Sequence, residues 1–341
     1  MRRLWNIKYY FHRLSRMDWK GLFDALDYAH KQSRKFKPFL LVDMIWCSFK
    51  YTAGYTDYNE FEFYLLNSAQ RKTYITTGQS SKAVKEYNDD NYIYLFDNKL
   101  NFNKTFSDYV HRDYIDLNET DSKGLEKFVL KHGKVMAKRP DDYVGRGIDK
   151  IDIKETPNIN YDELYVKLKD NRQVLIEEFF TQHPTMSSLA PNSVNTIRMV
   201  TFIDDDGVAR LLVAALKAGT GGHLDNIGQG GMYTILDENG TVVRPFIDKN
   251  GDHHSIHPTT QMDLMGFQVP DFQKLVEQVK SACLVIPQIR YIGWDVAVNV
   301  DGNVELIEGN TSTGPFQVIP SLSTNKIGIR PEFEKYMKMK F

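Results

Sequence analysis

Hydrophobic and other residues alternate most regularly near the carboxyl end of the chain, between residues 292 and 310. A period of two residues is typical of a β-strand that buries one face. The dipeptide Asp301-Gly302 divides this stretch into two runs, and Asp-Gly is a strong signal for a two-residue hairpin turn. The pattern therefore predicts a β-hairpin. Its alternating hydrophobic residues are Val296, Val298, Val300, Val304 and Leu306.

Hydrophobic positions nearer the amino terminus predict helices. Residues 18–32 and 38–51 have helical patterns, and Pro38 suits the first turn of the second helix. Residues 55–117 are rich in aromatic side chains but show no clean period, so only short mixed elements are predicted there.

From about residue 120 onward, helix and strand patterns follow one another. A helix that ends at Gly133 leads into a strand, a second strand is predicted over 173–180, and two more flank the Asp-Asp-Gly turn at 205–207. A helix directly precedes the final hairpin. Because antiparallel hairpins are prominent, this order predicts an α+β fold rather than a Rossmann-type sheet.

The composition indicates a globular protein of the cytosol. The 341 residues allow one large domain or two to three smaller ones, and the net charge of −1 gives no global field to attract nucleic acid. The sequence contains no run of about eighteen apolar residues that would span a membrane, and no apolar signal-peptide core. Cys47 and Cys283 have no metal or disulfide spacing, so we expect reduced thiols in the core.

Basic residues are concentrated at the amino terminus. Residues 1–37 hold ten Lys and Arg against three Asp, a net charge of +7, which leaves −8 on the remainder. Residues 1–20 could form an amphipathic helix at an anionic membrane surface, which would place the protein peripherally at the inner face of the membrane. The favoured alternative is a helix that packs on the body of the protein through Leu4, Ile7, Phe11 and Leu14.

The hairpin also carries candidate metal ligands. A two-residue turn would place Asp295 opposite Glu308, and Asn310 would share the face of Glu308. Two carboxylates directly opposite each other destabilise a sheet, whereas a hard cation such as Mg²⁺ between them would reverse that effect. The alternative is a surface hairpin with solvated acidic residues, a three-residue turn and another register. The hairpin alone leaves both interpretations open.

Lysines and glycines follow a pattern that suits a polyphosphate. Lys138 ends an apolar strand, and a loop with Gly145 and Gly147 follows it. An ammonium group is a compact charge for phosphate oxygens, and glycines let backbone amides approach a ligand or let a lid close. The loop has no Walker motif. The alternative is an edge-strand lysine beside an ordinary turn, and Lys99, further upstream, carries no signal alone.

Glu177 and Glu178 stand next to each other in an apolar strand. Their carboxylates must lie on opposite faces, and at least one must be covered or paired, because a buried unpaired charge is costly. A purine in a cleft would use the free backbone groups of this strand. The alternative is an edge strand with one solvated glutamate.

Two cations, Arg198 and Lys217, interrupt apolar strands at positions where burial without an anion would be unfavourable. The hydrophobic neighbours of Arg198 should point away from it, so its own face should be a polar cleft. The alternative is a structural ion pair of Arg198 with Glu177 or Glu178. Six glycines in residues 219–231 indicate either a flexible anion-holding loop or an ordinary long hairpin tip.

Taken in order, these features resemble the parts of ATP-grasp enzymes. The stretches LIEEFFTQHP, NSVNTIRMVTF and IGWDVAVNVDGNVELIEGN are most similar to the sugar-transfer-associated ATP-grasp family, which is found with polysaccharide biosynthesis. The resemblance covers about residues 50–320. It implies an ATP-grasp fold, in which two α+β subdomains clamp ATP.

The resemblance also implies a domain order. A helical, basic segment over 1–52 and a small pre-ATP-grasp region over 53–118 would precede the ATP-grasp domain at 119–330. Within that domain, the lid subdomain would cover about 119–180 and the second subdomain about 181–330.

The resemblance implies that the candidate residues hold ATP, metal and the transferred phosphate. For ATP, they are Lys99 and Lys138 at the α- and β-phosphates, Glu177, Glu178, Phe179 and Phe180 along the adenine, and His183 at the ribose. For two Mg²⁺ ions, with Mn²⁺ as an alternative, they are Asp295, Glu308 and Asn310. Arg198 would neutralise the γ-phosphate and the acyl phosphate formed from it. Lys217 stands where relatives are expected to have arginine, so the charge is kept and bidentate geometry is lost.

The implied reaction is an ATP-dependent ligation that joins a carboxylate to an amine, or to another nucleophile to give an ester, through an acyl phosphate. The expected substrates are small molecules such as a sugar acid or an amino acid, free or sugar-linked, in cell-surface polysaccharide biosynthesis. Two alternatives remain: a kinase that phosphorylates a hydroxyl group, and a nucleotide-binding module without turnover.

Overall fold

The computed structural model describes residues 18–142, 147–221, 225 and 227–338, and the chain folds into two compact units. The first unit comprises Met1–Ser80 and Gln317–Pro331, and the second comprises Ser81–Phe316 and Glu332–Phe341. Several residues singled out in the sequence lie outside the described part: Leu4, Ile7, Phe11, Leu14, Gly145 and part of the glycine-rich segment 219–231.

The first unit is helical. Its helices are α1 (Trp19–Ser33), α2 (Lys37–Lys50), α3 (Tyr55–Glu60), α4 (Ser68–Arg71) and the start of α5 (Thr77–Tyr87), with 3-10 turns at Phe63–Leu65 and Pro320–Leu322. Asp18 caps α1 by accepting a hydrogen bond from the Gly21 amide at 3.0 Å, and Pro38 lies in the first turn of α2, as predicted. The core of this unit consists of Leu and aromatic side chains, including Leu26, Leu40, Tyr58, Phe61, Phe63 and Tyr74.

The second unit contains two antiparallel sheets and the remaining helices. These helices are α6 (Tyr94–Asp97), α7 (Lys99–Thr105), α8 (Ser122–His132), α9 (Tyr161–Asp170), α10 (Pro184–Leu189), α11 (Phe272–Cys283) and α12 (Arg330–Glu334). The first two residues of α12 belong to the first unit, and most of α5 belongs to the second. The short elements between residues 55 and 117 agree with the absence of a clean period in that stretch.

The smaller sheet has four strands in the order β1-β4-β2-β3. They are β1 (Tyr114–Asp116), β2 (Lys134–Lys138), β3 (Ile148–Asp152) and β4 (Leu175–Glu178). Gly133 ends α8 with a φ of 69° and leads into β2, as predicted. Leu125, Phe128 and Val129 of α8 and Leu168 of α9 form the core against this sheet.

The larger sheet has seven strands in the order β11-β10-β5-β6-β7-β8-β9, and every pair is antiparallel. They are β5 (Ile197–Ile203), β6 (Ala209–Ala218), β7 (Met232–Ile235), β8 (Phe246–Asp248), β9 (His253–His254), β10 (Tyr291–Val298) and β11 (Val304–Asn310). Residues of α11 share the core with Trp294, whose indole donates to the Thr201 hydroxyl at 2.9 Å. The predicted α+β fold is confirmed.

The turn of the final hairpin differs from the prediction. The Asn299 amide lies 3.0 Å from the Asn303 carbonyl oxygen, so the loop between these residues has three residues and not two. Gly302 ends the loop with a φ of 72°, and its amide donates to the Asn299 carbonyl at 3.0 Å. A type I turn followed by a left-handed residue is the usual form of such a loop, and Asp-Gly suits it as well as it suits a two-residue turn. The prediction of a two-residue turn is therefore wrong.

A β-bulge restores the carboxylate pairing that was predicted. Val296 pairs with Leu306, whereas Asp295 pairs with Glu308, so Ile307 is an extra residue on β11. A shift of one residue moves a side chain to the other face of a sheet. Leu306 is buried in the core, and the bulge turns Glu308 to the opposite face, where it meets Asp295.

The described residues contain no helix that is long and apolar enough to cross a membrane. Cys47 and Cys283 are both buried free thiols, and burial raises the pKa of Cys283 to about 11.

Candidate active site

Three charged side chains form a row across neighbouring strands of the larger sheet. Asp295 on β10 pairs with Arg198 on β5 and with Glu308 on β11. Arg198 holds both oxygens of Asp295, with Nε 2.7 Å from Oδ1 and Nη2 2.9 Å from Oδ2. Lys217 on β6 donates from Nζ to Oδ1 of the same carboxylate at 3.0 Å. The anion that these two cations require is therefore Asp295.

The two facing carboxylates differ in charge balance. Burial alone would raise the pKa of Asp295, but Arg198 and Lys217 outweigh it and hold that pKa well below the usual range. Removal from water raises the pKa of Glu308, and the neighbouring Asp295 raises it further. Asn310 Nδ2 donates to Glu308 at 3.2 Å, but no lysine or arginine of the described residues forms an ion pair with Glu308. Glu308 is therefore the carboxylate that still needs a positive partner.

Arg198 lies in a confined place on the cleft face of β5. Its neighbours Ile197 and Met199 are fully buried in the core on the opposite face, as predicted. The ring of Phe316 lies 5.4 Å from the guanidinium carbon. A Cβ atom on Gly293 would lie 3.0 Å from Arg198 Cδ and 2.3 Å from the Thr313 hydroxyl oxygen, so this position of β10 has room only for glycine. An ion pair of Arg198 with Glu177 or Glu178 is not formed, because the strand register places Asp295 beside it.

The two predicted phosphate-binding lysines lie close to this row. Lys138 at the end of β2 donates from Nζ to Glu177, and Lys99 at the start of α7 donates from Nζ to the Asp142 carbonyl. Burial lowers the pKa of Lys99, and the positive charge of Lys138 acts in the same direction, while Glu308 opposes it. A bound anion between these lysines would relieve their mutual repulsion.

A cavity of about 330 Å³ joins Lys99 to the metal-ligand candidates. Glu308 and Asn310 line this cavity together with Lys99, Phe96 and Phe102. The structure thus brings one predicted phosphate ligand and two predicted metal ligands to the same space.

Arg112 is a central residue of the site that sequence reasoning missed. Its buried guanidinium donates from Nη1 to Glu305 at 2.6 Å, and its Nε lies 3.0 Å from a carboxylate oxygen of Glu177. Nη2 also donates to Asn103 at 3.2 Å. Burial would lower the pKa of Arg112, but Glu177 and Glu305 outweigh it and raise that pKa. Arg112 therefore links β11 of the larger sheet to β4 of the smaller sheet, where Glu177 also holds Lys138.

The network around Arg112 explains opposite pKa shifts in its two carboxylates. Glu177 has Lys138 as a second cation, and although burial would raise its pKa, Arg112 and Lys138 hold it well below the usual range. Glu305 has no second cation among the described residues, so burial raises its pKa in spite of Arg112. As predicted, Glu177 and Glu178 lie on opposite faces, and Glu177 is the buried and paired one.

The residues predicted along the nucleotide have other contacts. Glu178 lies 3.1 Å from His132 Nδ1, and Phe179 is half-exposed with the ammonium of Lys134 4.5 Å above its ring. Phe180 is half-buried. The Nδ1 atom of His183 accepts from the Thr185 amide at 3.1 Å and caps α10. No hydrogen bond or ion pair of the described residues joins these four side chains to Lys99, Lys138 or Asp295.

Gly219 and Asp225, two described residues of the glycine-rich segment, form hydrogen bonds outside it. Asp225 accepts hydrogen bonds from the amide and the hydroxyl of Thr196, at 2.8 and 2.5 Å, two residues before Arg198. The buried ring of His257 lies 2.8 Å from the Gly219 carbonyl through Nε2. Burial lowers the pKa of His257, which favours the neutral ring. These contacts hold Asp225 beside Thr196, two residues before Arg198, and Gly219 beside His257.

A family comparison identifies this arrangement. The model of a family described as "Sugar-transfer associated ATP-grasp" matches residues 79–335, well over half of the chain. The chain belongs to the sugar-transfer associated ATP-grasp family. No curated protein matches the sequence. The matched range contains every candidate site residue of this ATP-grasp protein.

Solved structures of three other proteins were matched to this chain. D-alanyl-alanine synthetase A from Vibrio cholerae is 10% identical, with 71% of this chain and 60% of that chain covered and a TM-score of 0.42. The ATP-grasp ligase PsnB with its minimal precursor is 14% identical, with 67% and 56% covered and a TM-score of 0.39. N5-carboxyaminoimidazole synthetase from Staphylococcus aureus, complexed with ADP, is 11% identical, with 72% and 52% covered and a TM-score of 0.41. The chain thus spans between about half and three fifths of these structures.

The residues of this ATP-grasp protein fit a divalent cation. Mg²⁺ prefers oxygen ligands, and Glu308 is a half-buried carboxylate that lacks an ion-pair partner among the described residues. Asp295 is held by Arg198 and Lys217, but a carboxylate has about four acceptor sites, so it can also accept a metal ion. Asn310 adds an amide oxygen on the same face.

Proposed function

We propose that the protein is an ATP- and Mg²⁺-dependent ligase that joins a carboxylate to an amine. The expected carboxylate is a sugar acid or an amino acid, free or sugar-linked, in cell-surface polysaccharide biosynthesis. One observation carries the proposal above the others. Asp295, neutralised by Arg198 and Lys217, faces a second carboxylate, Glu308, that lacks an ion-pair partner among the described residues and shares a cavity with Lys99.

The side chains in this site suit phosphoryl transfer. Two Mg²⁺ ions, or Mn²⁺ in their place, would be held by Asp295, Glu308 and Asn310, and the metal would neutralise charge on phosphate oxygens. Lys99 and Lys138 would bind the α- and β-phosphates of ATP. Phosphoryl transfer needs mainly positioning and charge stabilisation, so no nucleophilic side chain is required.

The proposed reaction has two steps. A carboxylate oxygen of the substrate attacks the γ-phosphorus of ATP, ADP leaves, and an acyl phosphate forms. The amine nitrogen then attacks the acyl carbon, inorganic phosphate leaves, and the amine loses a proton. Arg198 would stabilise the transferring phosphoryl group, because a planar guanidinium can hold two oxygens at once. Lys217 would keep Asp295 in place and add positive charge.

The nucleotide would lie along the end of β4 and the residues that follow it. In this proposal Glu177, Glu178, Phe179 and Phe180 form the hinge at the adenine, and His183 lies near the ribose. The side chain of Glu177 supports the hinge indirectly, because it holds Lys138 and Arg112.

The domain division also remains a proposal. A helical segment over 1–52 and a small region over 53–118 would precede the ATP-grasp part over 119–330, which would be divided near residue 180.

The test is a product analysis. ADP release is measured with amino acids and uronic acids, singly and in pairs, with Mg²⁺, and the products are identified by mass spectrometry. We expect ADP release that needs both an acid and an amine, with an amide product. A stable phosphate ester would show a kinase instead, and no ADP release with any pair would show a binding module. Glu308→Gln serves as the inactive variant, and Glu119→Gln, an exposed glutamate paired with Lys104, serves as its matched control.

A further inference from the structure

Helix α2 has hydrophobic side chains on both of its faces. Leu40, Met44 and Cys47 point into the core of the first unit. A second set lies on the outer side and is exposed to solvent. We call this set the α2 face, and it consists of Phe36, Phe39, Val42, Ile45, Trp46 and Phe49.

The exposure of the α2 face is large for such side chains. Val42 is 67% exposed and Trp46 is 54% exposed, and the spacing of three and four residues places the set on one side of the helix. A helix that is hydrophobic all round is ordinarily buried on all sides. A contiguous exposed apolar surface of this kind marks a binding surface rather than a random variation.

The charged residues of α2 frame this face with positive charge. Lys37 and Lys50 lie at the two ends of the helix, and the Lys50 ammonium lies 5.2 Å from the Trp46 ring. The one acidic residue of α2, Asp43, points away from solvent and is held by Arg71, with 2.6 Å between Nη2 and Oδ2. Lys37 is paired with the exposed Asp27 of α1 at 2.7 Å, so the exposed side of α2 combines aromatic and aliphatic groups chiefly with the ammonium of Lys50.

The wider charge distribution decides between possible occupants of the face. Residues 1–50 hold eleven Lys and Arg against four Asp, a net charge of +7. A second copy of the chain that docked through the same face would bring like charge together, since the described residues 18–50 alone hold six Lys and Arg against four Asp, a net charge of +2. Residues 1–17 hold five Lys and Arg and no acidic residue, so they would also meet like charge on this face. A surface that is apolar inside and negative outside complements both properties.

We propose that the α2 face docks on an anionic lipid bilayer, with α2 in the plane of the membrane surface. Phe, Trp and aliphatic side chains would enter the boundary between headgroups and acyl chains, and the lysines would contact the headgroups. This arrangement does not depend on the proposed ligase activity. It places the contact in residues 36–50, and not in residues 1–20.

Vesicle sedimentation of the full-length protein tests the proposal. Vesicles of phosphatidylcholine alone are compared with vesicles that also contain phosphatidylglycerol, at low and at high salt. We expect partition into the anionic vesicles that weakens as salt screens the lysines. No partition into anionic vesicles at low salt would overturn the proposal.

A triple substitution tests the face itself. Phe39→Ser/Val42→Ser/Trp46→Ser should weaken partition at least about tenfold, because three apolar groups that would enter the bilayer are removed. The matched control is Leu130→Ser/Val166→Ser, at two helix positions of the second unit that are 56% and 57% exposed. The control should partition like the wild type, and both variants should keep its melting temperature because all these side chains are exposed.

Lipid quenching gives a second readout that needs no change in the face. In Trp5→Phe/Trp19→Phe, the remaining tryptophans are Trp46 and the buried Trp294. Brominated phosphatidylcholine in anionic vesicles should quench Trp46, and unchanged fluorescence with bound vesicles would overturn the proposal.

Two further outcomes would assign the face to another occupant and overturn the proposal. In the first, the triple variant binds vesicles like the wild type, while replacing Arg2, Arg3, Lys8, Arg13 and Arg16 by Gln abolishes binding. In the second, light scattering shows a dimer that the triple variant converts to a monomer, with no vesicle binding by either.

Discussion

Asp295 and Glu308 show how neighbouring carboxylates of one hairpin can have different chemistry. Both lie on the same face, but Arg198 and Lys217 contact only Asp295. Glu308 has the amide of Asn310 beside it, and its pKa is raised by removal from water and by the charge of Asp295. The difference in charged partners, and not the residue type, makes Glu308 the group that a cation would stabilise.

Glu308→Gln should stabilise the metal-free protein and abolish Mg²⁺-dependent ATP turnover. The raised pKa means that the folded state favours protonated Glu308, so wild-type stability falls as the pH rises from the ordinary carboxyl range through the raised pKa. The glutamine variant should lack this fall, because its neutral amide resembles the protonated form. Melting temperatures across pH without metal, and ADP release with Mg²⁺, check both parts.

The control for this comparison is Glu119→Gln, which should leave the pH dependence and the turnover unchanged, since that carboxylate is exposed. Full activity of Glu308→Gln would remove Glu308 from the metal site.

Arg198→Lys should lower kcat far more than it weakens ATP binding. Lysine cannot hold both Asp295 oxygens as Nε and Nη2 of Arg198 do, nor two oxygens of a transferring phosphoryl group. A loss on the order of a hundredfold in kcat is expected by comparison with other electrostatic stabilisers. Single-turnover rates and melting temperatures are measured on the same sample. A near-normal rate with a lowered melting temperature would assign Arg198 a structural role only.

At the scale of elements, buried charges connect two strands that belong to different sheets. Arg112 joins Glu305 on β11 to Glu177 on β4, and Glu177 in turn holds Lys138 on β2. Removing one partner of such a network leaves uncompensated buried charge, which costs more than the loss of an exposed ion pair.

Arg112→Met should destabilise the protein by about 3–5 kcal/mol, because Glu305 and Glu177 lose their shared cation. The matched control is Arg172→Met, which removes an exposed arginine paired with Asp141 and should cost no more than about 1 kcal/mol. Denaturant unfolding followed by circular dichroism measures both losses. Equal losses in the two variants would show that the network around Arg112 contributes no more than a surface pair.

The elements were largely predictable from the sequence, whereas the network was not. The periods of α1, α2, α8, α11 and the final hairpin reflect burial of one face, and each element formed where predicted. The pairing of Asp295 with Glu308 was predicted from a turn that is one residue too short. The pairing forms all the same, because the bulge at Ile307 compensates for the longer turn. Arg112 was missed because it precedes β1 in a stretch without a period and its partner Glu305 is 193 positions away.

At the scale of the whole molecule, we propose different tasks for the two units. The described side chains of the candidate site belong to the second unit, and the α2 face belongs to the first. Net charge follows the same division, since the residues of the first unit carry +8 and those of the second carry −9. We therefore propose catalysis for the second unit and membrane attachment for the first.

Binding of ATP with Mg²⁺ should slow amide hydrogen exchange in one unit only. A ligand that binds the folded state alone at about a hundred times its Kd stabilises that state by about 2.7 kcal/mol. Exchange should slow in β2, β5, β10 and β11, which carry the candidate ligands, and stay unchanged in α1 and α2, whose core is a separate cluster. Mass spectrometry of exchanged peptides measures this. Equal protection of α1 and α2 would contradict the separation.

The bulge in the final hairpin makes the pairing of one apolar residue a requirement of the site. If Ile307 were paired in a regular ladder, the alternation that buries Leu306 would carry Glu308 into the core as well. Deletion of Ile307 would straighten the strand and still leave Glu308 opposite Asp295, whereas one more residue between Leu306 and Glu308 would move Glu308 out of register with Asp295 while every acidic side chain remained in the sequence. In a sequence comparison, a one-residue gap at Ile307 therefore preserves the site, and a one-residue insertion there counts as a substitution of the site, even though the residue gained is apolar.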